Sequence, residues 1–174
     1  MSNQTVFFKD NFFSAGVTEI FNSEKEKVGE LDLKSTFSSS VDVLDKDGRP
    51  AVSGSFGFFS NKWRVTTASG EDLGILKQIF TFMSKKYEYD AYGRGVYLIH
   101  SEAFSREYDI FDEQSNQIAK FEKVSGFFAS PAFQLTNYSD KLSTEELIAV
   151  VMGVNAIQKR RSNNAATANG GAGN

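Results

Sequence analysis

The stretch that decides the fold is STEELIAVVMGVNAIQKRR, residues 143–161. From Leu147 to Ile157 nine of eleven positions are apolar, and only Gly153 and Asn155 interrupt the run. A surface helix carries an apolar stripe opposite a polar face, whereas a helix apolar all round has to be enclosed. Its start is marked by Ser143 and Glu146 in the S-x-x-E pattern of a capping box, with Glu145 at the positive end of the dipole. Its end is predicted at Lys159-Arg160-Arg161, where cations complement the dipole and favour solubility. Gly153 costs about 1 kcal/mol against alanine in a helix, so it predicts close approach by a bulky strand side chain. Asn155 needs a partner inside the fold, and a bond to a strand would set the helix rotation.

Outward from this helix, the preceding chain reads as strands and turns. Sliding the sequence by 45 residues superimposes it on itself. Ile20, Val65 and Ile110 fall in register, as do Val28-Gly29, Leu73-Gly74 and Ile118-Ala119, then Leu31, Leu76 and Phe121. Phe37, Phe82 and Phe127 also align and are predicted to form core layers. Each copy holds four alternating, β-branched or aromatic segments, such as VFFKDNFF, VTEIFN, VGELDLKSTF and SVDVLD. Asp47-Gly48 and Tyr92-Gly93 place glycines where tight hairpins want positive φ. Four strands in three copies predict twelve, over roughly residues 5–137.

A barrel of about eight strands is filled by its own side chains, and a twelve-stranded one is too wide for that. A helix of roughly 10 Å diameter would fill the space. The predicted fold is therefore mainly β: a closed twelve-stranded antiparallel barrel around a central C-terminal helix, one domain over residues 5–161. Residues 162–174, with no apolar run, read as a disordered tail.

The repeat, the hairpin REYDIFDEQSNQIAKFEK (residues 106–123) and the closing apolar helix together resemble one superfamily. It comprises the tubby C-terminal domain, the LURP-one-related proteins and the phospholipid scramblases. Its fold is a twelve-stranded barrel around a C-terminal helix. The resemblance implies a non-enzymatic binding or adaptor module, recognising anionic phospholipid head groups at a membrane surface. The scramblase-type cysteine cluster, proline-rich leader and acidic calcium loop have no counterpart here, and the tubby head-group residues do not map onto this chain. The alternative is a structural or protein-interaction domain with a protein partner and no lipid ligand.

Composition narrows the chemistry. The net charge of −3 gives no general pull toward nucleic acid. Without cysteine there is no disulfide, thiolate metal site or thiol nucleophile. The apolar run is about half the ~20 residues of a membrane span, so no transmembrane segment is expected. Residues 1–13 lack a secretory pattern, so the expected location is cytoplasmic, with the peripheral membrane contact that the resemblance implies.

No cofactor or metal site is expected. Asp45-Lys46-Asp47-Gly48 has calcium-loop flavour, but Arg49-Pro50-Ala51 cannot supply the remaining oxygens, so a hairpin turn is the better reading. His100, the lone histidine, lies in the apolar strand VYLIHSEAF with no evident catalytic partner, and an enzyme built on it is the weakest reading. Lys85, Lys86 and Arg94, with Lys62 or Arg64 near, form the candidate basic patch for phosphate head groups. Glu88, Asp90, Glu102 and Glu107 dilute it.

Overall fold

A computed structural model describes residues 3–34, 40–80, 85–101 and 106–169. Twelve strands close into an antiparallel barrel around one helix. They are β1 (Gln4–Lys9), β2 (Gly16–Phe21), β3 (Lys27–Leu33), β4 (Ser40–Asp45), β5 (Pro50–Phe56) and β6 (Trp63–Thr67). Then follow β7 (Asp72–Phe80), β8 (Lys85–Asp90), β9 (Val96–Ser101), β10 (Tyr108–Phe111), β11 (Gln117–Val124) and β12 (Ala132–Asn137). Each strand pairs with its neighbours in sequence, and β1 closes the ring on β12 from Gln4↔Asn137 to Lys9↔Ala132. Helix α1 spans Thr144–Asn169.

Burial alternates along the strands with period two, as a sheet with one wet face requires. The residues aligned at 45-residue spacing meet across hairpins. Ile20 pairs with Gly29, Val65 with Gly74 and Ile110 with Ala119, and a register shift follows each pair. The small residue has a steric cause. A Cβ on Gly29 would lie 2.5 Å from the Leu44 carbonyl oxygen, and one on Gly74 would lie 2.5 Å from the Tyr89 ring.

Hairpin turns share a second device. Asn22, Asp45 and Asp112 each accept two backbone N–H bonds from the residues two and four ahead. Asp45 also takes the Arg49 Nε at 3.0 Å, so both carboxylate oxygens serve the turn. Gly48 has the positive φ of 77° predicted for it. In the β8–β9 hairpin that role falls to Tyr92 (φ 55°) and Gly95 (φ 115°) and not to Gly93, because a 3-10 turn at Tyr92–Arg94 shifts the bend.

The helix fills the barrel. Leu147 to Ile157 are all buried. It lies nearest β5, β4, β6 and β7, whose inward residues include Val41, Val43, Val52, Gly54, Val65 and Gly74. From β8 round to β1 the wall carries large rings: Phe8, Tyr87, Tyr89, Tyr97, Tyr108 and Phe121 are all buried. Tyr108, Phe121 and Phe133 stack in sequence at centroid distances of 5.9 and 5.2 Å.

Trp63 locks its position. The indole Nε1 donates to the Ala149 carbonyl at 3.1 Å. A Cβ on Gly153 would sit 2.4 Å from Trp63 Cδ1, and one on Gly54 would sit 2.6 Å from Nε1. The ring is therefore sandwiched between two glycines, which is the close approach predicted at Gly153. Asn155 is buried at 6% exposure.

Three expectations need correction. The helix does not stop at Arg161 but continues to Asn169. Ala165, Ala166 and Ala168 are strong helix formers, and after Gly153 the next glycine comes only at 170. Residues 162–169, read as tail, are thus helical, with 162–167 exposed. Second, Phe127 is not a core layer. It stacks on the outward ring of Phe7 at 3.6 Å, under the β11–β12 loop, because that loop folds over the outer wall. Phe37 and Phe82 lie outside the described residues. Third, Glu146 does not reach back as a capping box would. Ser143 Oγ does accept the Glu146 N–H at 3.1 Å, but the Glu146 carboxylate turns into the barrel mouth.

Candidate functional site

Odd-numbered strands all finish at one end of the barrel, where α1 emerges; α1 enters at the other. The entry end is held by Glu146, which is 2% exposed. Arg94 Nη1 and Nη2 reach its two oxygens at 2.6 and 2.8 Å, and the Tyr89 hydroxyl donates to the same carboxylate. Arg94 Nη2 also donates to the Leu73 carbonyl at 2.6 Å, and Nη1 to that of Lys141 at 3.3 Å. The Tyr89 phenol is pushed up by burial first and by the adjacent Glu146 charge second, so it stays a proton donor.

That geometry breaks up the predicted basic patch. Arg94 is spent on Glu146. Lys86 lies at the far end of β8, opposite His100 on β9, and is four residue steps from Asp90, about 13 Å. Lys85 pairs with Ser101 one step further away. Around Lys86 the outer wall is a mixed ladder: Lys77 bonds Glu88 at 2.7 Å, and Lys120 bonds Glu122 at 2.7 Å. Lys86 and Arg94 therefore make no common site, and the Lys85 side chain lies outside the described residues. Arg64, also considered near it, pairs with Asp72 at 3.2 Å.

His100 sits on the same outer wall, opposite Lys86 and Asp109 and 5.1 Å from the Phe111 ring. Burial lowers its pKa from the usual 6.5, Lys86 lowers it further, and Asp109 opposes them. Folding then requires the neutral imidazole, so stability is full above 6.5 and is lost as pH falls from there through the lower folded-state value. Imidazole NMR titration should show a folded-state midpoint below 6.5, moving upward in Lys86→Gln. A midpoint at or above 6.5 would contradict the wall geometry.

The exit end is different. Three rings stand in solvent there: Phe58 is 91% exposed, Phe59 95% and Phe80 81%. Phe58 and Phe59 sit at the tip of the β5–β6 loop, edge to face at 4.4 Å, with Phe59 at a positive φ of 55°. Soluble domains seldom display such a cluster without a use for it. Cations from α1 fan out beneath it. Lys159 Nζ donates to the Phe13 carbonyl at 3.2 Å. The Arg160 guanidinium lies 4.5 Å over the Phe56 ring and Arg161 lies 4.8 Å over Phe80. These cations, predicted to serve the helix end, lie at least eight residues before it and brace the rim instead.

A groove of about 500 Å³ runs between the emerging helix, the rim of β7 and the β5–β6 loop. Lys62, Lys77, Arg160 and Arg161 line it, and among the described residues no carboxylate does. This site was missed because its parts are 80–100 residues apart and each has a bland explanation alone. The available signal was the GFF at 57–59, repeated at 126–128.

The architecture has a solved counterpart. A crystal structure of a protein from Arabidopsis thaliana superposes with a TM-score of 0.60 at 12% identity, covering 88% of this chain and 91% of that one. At that identity the likeness is one of fold. No protein-family model matches the sequence, and no curated protein matches it. Among the described residues no helix is long and apolar enough to cross a membrane.

Proposed function

We propose that this protein is a non-enzymatic binding module, related to the tubby and LURP-one barrels, that docks on anionic phospholipid surfaces through the exit end. The reading rests on one observation: Phe58, Phe59 and Phe80 stand exposed beside Arg160, Arg161 and Lys62. Rings that enter the head-group region and cations that stay at its level are how peripheral proteins hold a bilayer. Burying a ring of this size is worth roughly 1.5–3 kcal/mol, and each cation near an anionic surface about 1 kcal/mol. Ordering and association costs reduce the sum, leaving reversible docking. The anionic cytoplasmic leaflet is the matching surface.

Co-sedimentation with phosphatidylcholine vesicles, with and without phosphatidylserine, tests it. Binding is expected only with phosphatidylserine and should weaken with salt as surface charges are screened. Phe58→Ser/Phe59→Ser should lower it at least about tenfold, since two buried rings exceed the 1.4 kcal/mol that tenfold represents. Absence of pelleting at low salt would end the lipid reading and leave a protein partner as the occupant of this end.

A further inference from the structure

Arg160 and Arg161 are arranged for more than general attraction. The Arg160 Nη1 donates to the Ser60 carbonyl at 3.1 Å, and Arg161 Nη1 to Gln78 Oε1 at 2.7 Å. Each guanidinium is thus held by a ring below and one neutral acceptor at its side. A guanidinium carries five N–H donors in a planar fork, so most of each fork is left for a further acceptor. Among the described residues neither is paired with a carboxylate, whereas Arg49, Arg64 and Arg94 all are. Lys77, on the same groove, is neutralised by Glu88, so Lys62, Arg160 and Arg161 provide the uncompensated charge.

The floor is apolar: Phe56, Phe80 and Ile157 face the groove, and its volume is about 500 Å³. That size falls within the range of roughly 300–1,000 Å³ common to small-molecule clefts. Two preorganised forks match an anion with three or more oxygens better than a carboxylate with two. A bare anion would leave the apolar floor unused, and the overall charge of −3 argues against a polyanion such as nucleic acid.

We propose that this groove binds the phosphomonoester of a single anionic lipid, with Arg160 and Arg161 as paired receptors and Phe56, Phe80 and Ile157 as the bed for its glycerol and first methylenes. The inference rests on the membrane-docking reading and adds a specific head-group site to it. Phe58 and Phe59 would insert beside the groove and carry docking without contacting the phosphate.

The test uses soluble ligands, so that site and surface are separated. The full chain is titrated calorimetrically with monomeric dihexanoyl phosphatidic acid, dihexanoyl phosphatidylcholine and inorganic phosphate. Saturable binding of the phosphatidic acid is expected, at least about tenfold tighter than the other two, a difference of about 1.4 kcal/mol. Arg160→Gln/Arg161→Gln should lose at least about tenfold, while Phe58→Ser/Phe59→Ser should keep soluble binding and lose vesicles. Arg160→Lys/Arg161→Lys keeps charge and ring contact but removes the forks, and it too should lose affinity while melting like the parent chain. Equal affinity for inorganic phosphate, or full affinity in the lysine variant, would overturn the lipid-phosphate site. Vesicle binding without soluble binding would overturn the groove and leave the docking surface standing. Soluble binding without vesicle binding would overturn docking and, with it, a lipid presented by a membrane.

Discussion

Arg94→Ala is expected to destabilise the barrel by about 3 kcal/mol, the lower end of the ~3–5 kcal/mol seen when one member of a buried ion pair is removed. The reason lies in the partner. Glu146 is 2% exposed, and without Arg94 its carboxylate keeps only the Tyr89 hydroxyl among the side-chain bonds described above. The Leu73 carbonyl also loses the donor that Arg94 supplies. The lower end applies because the Arg94 side chain is 34% exposed, so water reaches part of the vacated space. For a chain of this length 3 kcal/mol corresponds to a fall of roughly 6–12 °C in Tm. Arg94→Met/Glu146→Leu should lose at least about 1 kcal/mol less than the two single changes together, because no charge is left stranded. A loss under about 1 kcal/mol in Arg94→Ala would show that the pair does not hold the helix at the entry end.

Gly153→Val should cost as much or more, though alanine, valine and most residues outrank glycine in helix propensity. Gly153→Ala would gain about 1 kcal/mol on propensity alone. Its Cβ would lie 2.4 Å from Trp63 Cδ1, and Gly54 backs the other side of the same ring, so the indole has nowhere to go. Displacing it also breaks the Nε1 bond to Ala149. Overpacking of this kind costs about 1–3 kcal/mol, and the two further methyl groups of valine push toward the top of that range or past it. Chemical denaturation should therefore show Gly153→Ala below the parent and Gly153→Val below that. Trp63→Leu should be destabilising alone yet more tolerant of Gly153→Ala, a positive coupling between contacting sites. A Gly153→Ala variant more stable than the parent would mean that the helix can shift away from Trp63.

Much of this was legible beforehand, and unevenly. Leu147–Ile157 announced enclosure because an all-round apolar helix has no other stable place, and the 45-residue register of Ile20, Val65 and Ile110 located the strands beside it. Gly153 was legible as a contact point, but its partner was not. Trp63 is 90 residues away, and only barrel closure brings β6 under the helix. Glu146 misled because a capping box and a buried ion pair share the same local pattern; the choice depends on whether an arginine arrives from β9's approach. Lys86 and Arg94 misled because sequence proximity within a hairpin says nothing about which end of a strand a side chain occupies.

The exit end shows the same division. Exposed Phe58 and Phe59 resembled ordinary strand aromatics in a chain with 17 phenylalanines, since exposure is a property of closure and not of residue type. Arg160 and Arg161 looked like a helix terminus until α1 ran on to Asn169. Local patterning and self-similarity determined the element types, their number and the buried helix, because alternation, period and apolar run length act over a few residues. The tertiary structure alone decided which charges are spent and which remain free. Pairing energies depend on distances between strands far apart in sequence, and those distances exist only once the barrel has closed around its helix.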